Sequence, residues 1–238
     1  MDLAKIMKTP HTAEQIGALW AAYHAAKSQP PSAKIYLSAT IPTTTYDRLL
    51  SNVAAYPSFV LPLPRPDAQI QSAPDTDATD ARTTHSTPYE FYFVQWSMHG
   101  SPPTPSPDGL PSLFNNQTSS PSQTLPNSPC TTVLFTSLQE YKLRQDYATP
   151  HLILTHYTDL AQSHGLVLFR GELTPLSSGQ STVLSPDDAQ RLALLLQQFY
   201  LPPRENDECG AARTKLLQQF HGEPENFRWE DVIELAVQ

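Results

Sequence analysis

The sequence predicts an α/β fold of the α+β kind: a central, largely antiparallel or mixed β-sheet flanked by N- and C-terminal helices in a single domain. Three observations lead there. Short runs rich in β-branched and aromatic residues cluster between Pro57 and Leu173, and such side chains suit a pleated, half-buried surface. Stretches with apolar residues three and four apart, the period of an amphipathic helix, come before and after those runs. Finally, 24 prolines against 8 glycines in 238 residues mark Pro-rich segments beside a smaller folded core.

The first helix runs from Thr12 to Ser28. Thr12 and Gln15 have the spacing of a capping box, in which each side chain satisfies the other's backbone N–H, and Ile16, Leu19, Trp20 and Tyr23 follow as its apolar stripe. A second helix spans Pro42 to Tyr56. Its proline sits where no N–H is needed, its stripe is Tyr46, Leu49, Leu50 and Val53, and Pro57 stops it. Three strands are expected next, at Pro57–Arg65, Tyr89–Trp96 and Thr131–Ser137; Pro62 and Pro64 cannot donate to a ladder and place the first at an edge or a strand end. A third helix runs from Ser137 through Tyr147.

His151–Tyr157 reads as a strand with Leu152, Leu154 and His156 on one face and His151, Ile153, Thr155 and Tyr157 on the other. Both faces carry apolar residues, so the sheet is covered on both sides there. Thr158–Gly165 makes one or two helical turns, capped by Thr158 and stopped by Gly165, before the strand Leu166–Leu173; this connection fits a parallel or an antiparallel pair. Ser177–Ser181 is a turn. A fourth helix opens at Ser185 with the carboxylates of Asp187 and Asp188 in its first turn, and carries Leu192, Leu195, Leu196 and Phe199 as its stripe. Ala211–Phe220 and Trp229–Ala236 complete the helices.

Two segments fall outside this pattern: acidic residues 66–88 and Ser/Thr/Pro-rich residues 101–129. Neither holds enough apolar side chains to offset about 1–2 kcal/mol of backbone ordering per residue, so both are expected to be disordered insertions. They lie between strands, as expanded loops of one sheet, and doubling a flexible loop costs only about 0.6 kcal/mol.

Composition excludes several function classes. A formal charge of −8 and a pI near 5.4 argue against a nucleic-acid partner, which calls for a basic surface. Cys130 and Cys209 make no disulfide framework. No run approaches the roughly 18 apolar residues of a membrane span, and the start, with Asp2 and no apolar segment, is neither a secretory signal nor an obvious presequence. A soluble intracellular chain without membrane insertion is expected.

The densest pattern lies in Thr149–Leu173. His151 and His156 fall on opposite faces of one strand and His164 lies beyond a turn, so the three cannot share a metal ion. Arg170 and Glu172 share a face two residues apart, as a salt-linked rim or a partner contact. A hydrolase would pair Glu172 with Asp159 or His156, yet there is no G-x-S-x-G elbow, Walker loop or G-x-G-x-x-G. No enzyme, cofactor or metal is expected. Another alternative is a proline-motif adaptor through Pro102 and Pro105.

The same stretch carries a resemblance. Phe135-Thr136-Ser137-Leu138-Gln139-Glu140-Tyr141-Lys142-Leu143, then Pro150-His151-Leu152-Ile153-Leu154-Thr155-His156-Tyr157 with Leu160, then Gly165-Leu166-Val167-Leu168-Phe169-Arg170-Gly171-Glu172 resemble the mitochondrial ATP synthase F(1) assembly-factor family. They match the chaperone type that binds the F(1) β subunit, and Leu166 departs mildly from its usual β-branched residue. Phe59–Arg65, Tyr89–Trp96, Ala13–Lys27 and Pro224–Ile233 extend the likeness in the family's order over most of the chain except the two insertions, which suggest a fungal-like member. The resemblance implies an ATP-independent chaperone of the mitochondrial matrix, a monomer that holds the unassembled β subunit and releases it to the α subunit. The candidate contact residues are the aromatic strand Phe91, Tyr92, Phe93 and Trp96, the rim Arg170 and Glu172, and Phe227 and Trp229, because aromatic and Arg side chains dominate partner hot spots.

Overall fold

In the computed structural model, residues 11–28, 34–65, 88–101, 128–176, 181–204 and 207–237 are described. The two proposed insertions lie, apart from their end residues, outside the described residues, as does Pro102–Pro105. The elements, in chain order, are α1 (Ala13–Lys27), β1 (Tyr36–Pro42), α2 (Thr43–Ala55), β2 (Ser58–Pro64), β3 (Tyr89–His99), β4 (Cys130–Ser137), α3 (Leu138–Arg144), β5 (Leu152–Tyr157), α4 (Ala161–His164), β6 (Leu166–Leu173), α5 (Pro186–Tyr200), α6 (Glu208–Gly222) and α7 (Trp229–Val237).

Six strands form one sheet in the order β1-β6-β5-β4-β3-β2, every neighbouring pair antiparallel. The run β2 to β6 is a meander, and β1 joins its far edge beside β6. The β5–β6 connection is therefore antiparallel: Gly165 leaves α4 in the left-handed region, φ 64°, which glycine adopts without strain and which turns the chain straight back. Edge strand β2 carries Pro62 and Pro64 as the missing donors demand. Strand β1 was not anticipated, because Tyr-Leu-Ser-Ala-Thr-Ile is too short and mixed to stand out. Its seven residues pair with Leu166–Glu172.

Register divides the side chains between two faces. The inner face presents Phe59, Leu61 and Leu63 of β2, Tyr92, Val94 and Trp96 of β3, Val133 and Phe135 of β4, Leu152, Leu154 and His156 of β5 and Val167 and Phe169 of β6. All are buried, under the stripes of α2 (Leu49, Val53), α5 (Leu192, Leu195, Leu196, Phe199), α6 (Leu216, Leu217) and Val232 of α7. Burial on this scale, roughly 1.5–3 kcal/mol per large side chain, is the main force holding the sheet to its helices. Helix α5 starts where expected: the Ser185 side chain accepts from the Asp188 N–H and Pro186 fills the first turn.

The outer face is covered at one end only. Helix α1 lies across β1, β6 and β5, where Ile16 and Trp20 pack with Leu160, Leu166 and Leu168, and the Trp20 indole donates to the Phe169 carbonyl at 2.8 Å. The capping box of Thr12 and Gln15 forms as read. Its buried stripe differs from expectation: Ile16, Trp20 and His24 face inward, while Leu19 is 46% exposed. A strict i, i+4, i+8 line meets the sheet because α1 touches it along a narrow seam.

Candidate functional site

At the other end the outer face stays open, although its residues are not polar. Val60 of β2 and Phe91 and Phe93 of β3 point outward by register; Val60 is buried, and Phe91 and Phe93 are half-buried, each met by one aromatic side chain from a flanking helix. An antiparallel sheet with one solvated face normally alternates apolar-in with polar-out, so this outward apolar row is the informative departure. It forms the floor of a groove of about 980 Å3. One wall is α3, through Leu138, Tyr141 and Lys142; the other is α7, through Trp229 and Ile233; Phe220 and Phe227 close one end.

Each wall is held by identifiable contacts. Tyr141 lies over Phe93 with ring centroids 4.3 Å apart, and Trp229 meets the Phe91 ring edge-on at 6.0 Å. Phe220 and Phe227 pack on Phe59, wrapping the β2 edge from the core to the groove. Helix α7 is tied down by Val232 in the core and by Arg213 of α6, whose guanidinium donates to the Leu235 carbonyl at 2.9 Å.

Helix α3 is held by polar links instead, since it buries no side chain. Its Glu140 carboxylate accepts from the Arg144 guanidinium, the Thr149 N–H and the His151 ring. His151 in turn meets the Tyr92 hydroxyl at 3.3 Å, and Arg65 joins that hydroxyl to Glu90 at 2.7 Å and Asp188 at 2.8 Å. A chain of hydrogen bonds thus runs from the start of α5 to the groove wall.

At the end of α3 two large apolar side chains stand exposed among the polar Arg144, Gln145 and Asp146. Leu143 is 79% and Tyr147 90% exposed, and Trp229 across the groove is 53% exposed. Between Leu143 and Tyr147, Gln145 adopts φ 50°, a strained value for a residue with a Cβ, of a kind that recurs at functional surfaces.

The structure sorts the residues expected to contact a partner. Phe91, Phe93, Phe227 and Trp229 converge on the groove. Tyr92 and Trp96 alternate onto the inner face and are buried, 1% and 6% exposed, so neither can meet a partner directly; Trp96 stacks on His156 instead. Arg170 and Glu172 lie on the outer face at the far end, ion-paired at 3.7 Å. Val60, Tyr141, Phe220 and Ile233 were not singled out by the sequence. The signal was available in β3, where Tyr89, Phe91 and Phe93 repeat an aromatic on the parity opposite to Tyr92, Val94 and Trp96.

The pairing of Glu172 with His156 is not assembled. His156 lies on the inner face, its Nδ1 3.2 Å from the Thr131 hydroxyl, and burial pushes its pKa down to about 4. Glu172 lies on the outer face of the same sheet, so the two cannot act as an acid–base pair. Among the described residues no group of three or more His, Cys, Asp or Glu could hold a metal ion, and no helix is long and apolar enough to cross a membrane.

The sequence agrees with known proteins along nearly its whole length. The family model described as "ATP11 protein" matches residues 1–233. "Protein atp11, mitochondrial" of Schizosaccharomyces pombe is 33% identical over 184 residues, 77% of this chain and 46% of that protein. "ATP synthase mitochondrial F1 complex assembly factor 1" is 26% identical over 222 residues in both Mus musculus and Homo sapiens, covering 93% of this chain and 47% and 46% of those proteins. The chain thus spans about half the length of these relatives. With a family match running from the first residue to the middle of α7, this chain belongs to the ATP11 family.

Proposed function

We propose that this protein is an ATP-independent assembly chaperone of mitochondria, working in the matrix on the F(1) sector of ATP synthase. It holds the unassembled β subunit and releases it to the α subunit. The observation that carries the reading is the groove: an outward-facing aromatic floor between two helices, flanked by exposed Trp229, Leu143 and Tyr147, in a chain whose relatives are named as F1 assembly factors.

The physical logic is that of a temporary cover. A subunit destined for an obligate interface of roughly 2,000–5,000 Å2 exposes apolar surface until its partner arrives. A folded protein that shields part of that surface prevents aggregation and is displaced by the larger final interface. This requires no nucleotide and no catalytic group.

The test is size exclusion of this protein with purified F(1) β subunit, followed by addition of α subunit. A one-to-one complex that α subunit dissolves is the expected result. Failure of the two folded proteins to co-elute would overturn the proposal.

A further inference from the structure

The outer face holds a second cavity whose chemistry is unlike that of the groove. Where α1 crosses β6 and β1, a pocket of about 200 Å3 is walled by the rings of Tyr23, Tyr36 and Tyr157 and by His24, Lys27 and Arg170. Two cations therefore share a small aromatic pocket in a chain whose net charge is −8.

Arg170 is incompletely satisfied there. Its Nε is buried and has no hydrogen-bond partner. Its carboxylate neighbour Glu172 stands 3.7 Å away, within ion-pair reach but beyond a hydrogen bond, and Lys34 engages Glu172 from another side, also at 3.7 Å. The guanidinium lies 5.4 Å from the Tyr157 ring centre and Lys27 lies 4.6 Å from that of Tyr23, so aromatic faces orient both cations without neutralising them. The neighbourhood registers the excess. His24, whose Nδ1 donates to the Trp20 carbonyl, is held below the ordinary imidazole pKa by burial and then by Arg170 and Lys27. A hydrogen bond to Lys27 likewise draws the Tyr23 hydroxyl below the ordinary phenol value. A buried guanidinium N–H left unmade is costly, and a ligand that accepts from it removes the cost.

We propose that this pocket binds a single carboxylate group, clamped between Arg170 and Lys27. Its size favours one functional group presented from outside, since pockets that enclose whole small molecules run to roughly 300–1,000 Å3. A planar carboxylate matches the guanidinium fork better than a spherical anion does. The source is an acidic side chain of the docked subunit. From β3 to β6 is three strand spacings, about 14 Å across the sheet, and the register that aligns Arg170 with Ser97 adds about 13 Å along the strands from Phe93, on the same face. The carboxylate chemistry stands on the pocket; its source rests on the assembly reading above.

The experiment titrates the full 15N-labelled chain with a capped glutamate, acetyl-Glu-amide, and with acetyl-Gln-amide as the neutral control. The readout is the Arg170 Nε–H resonance, identified by its loss in Arg170→Lys. A saturable shift with the glutamate only, weakened about tenfold or more in Lys27→Gln, is expected. Lys27 is exposed, so that variant keeps the fold. No saturable shift, or the same shift with the glutamine, overturns the carboxylate site.

A second arm measures F(1) β subunit binding by the wild type and Lys27→Gln. Tenfold weaker binding by the variant supports the subunit as the source. Unchanged binding overturns that source and makes a free small carboxylic acid the ligand. Absence of subunit binding by the wild type refutes the assembly reading, while the titration still judges the pocket.

Discussion

Replacing Trp229 with alanine tests the groove at its most exposed aromatic. Trp229 leaves 53% of its surface to solvent on the α7 wall and meets the Phe91 ring edge-on. A tryptophan carries up to about 250 Å2 of burial, so roughly 130 Å2 remains to be covered by a partner. At about 25 cal/mol per Å2 this is worth up to ~3 kcal/mol of binding, or about 100-fold in Kd. The same truncation also removes the roughly 120 Å2 that Trp229 already buries, so it costs the fold up to about 3 kcal/mol by the same coefficient. The assay is fluorescence anisotropy with labelled F(1) β subunit, paired with a urea melt of each variant. Met98→Ala is the control, since Met98 is 60% exposed but sits near the opposite end of β3 on the other parity. Expected are a 30- to 100-fold loss for Trp229→Ala, from 2–3 kcal/mol, and less than twofold for Met98→Ala. Equal affinities of the two variants, with both folded, would refute the assignment of the groove as the contact surface.

Three further outcomes follow from the fold. His156 is buried neutral with a pKa near 4, so the unfolded chain, at about 6.5, binds its proton first. Stability is therefore full above pH 6.5 and falls as pH drops toward 4, by up to about 3 kcal/mol at 1.36 kcal/mol per unit. In an NMR titration its imidazole stays neutral at pH 5, and a midpoint near 6.5 would contradict this. A Cβ on Gly171 would stand 3.0 Å from the Leu37 Cβ and 3.1 Å from a Leu154 methyl, so Gly171→Ala lowers stability by about 1–3 kcal/mol, read as a lower urea midpoint at unchanged slope. Glu140→Ala removes the acceptor of the two links that tie α3 to Thr149 and His151, and of the Arg144 bond within the helix, so hydrogen exchange in α3 speeds up while β4 and β5 keep their protection. Uniform exchange changes across the sheet would show that the links hold more than this wall.

The fold was legible wherever one physical signal dominated. The prolines of β2 fixed an edge, and the parity of β5 separated its buried face, Leu152, Leu154 and His156, from an outer face that is mostly half-buried rather than fully covered. The Ser185 and Thr12 caps marked helix starts to the residue. Parity also limits what sequence can assign: Tyr92 and Trp96 have the same composition as Phe91 and Phe93, and only the pairing with Leu61, Val133 and Ser137 turns them inward. The motif residues that carried the family resemblance proved largely to be framework. Gly171 admits Leu37, and His151 and Glu140 brace α3. The groove was not legible as a unit because its members come from β2, β3, α3, α6 and α7, brought together only when α7 wraps the β2 edge.

On the proposed chaperone role, the walls of the groove would let a contact this apolar stay reversible. Among the described residues α3 buries no side chain and α7 buries only Val232, whereas α5 buries seven. Elements with few buried contacts open locally at low cost, so both walls can shift to fit an irregular subunit surface while the floor, part of the six-stranded sheet, stays fixed. A rigid, fully complementary groove would bind more tightly, and the final subunit interface would then displace it slowly. On that proposal, loose walls on a rigid aromatic floor would keep binding strong enough to cover the surface and weak enough to surrender it. The polar chain from Asp188 through Arg65, Tyr92 and His151 to Glu140 fits the same logic. It holds α3 by long, partly solvated hydrogen bonds of about 3.3 Å at the Tyr92–His151 and His151–Glu140 steps, which position a wall without locking it.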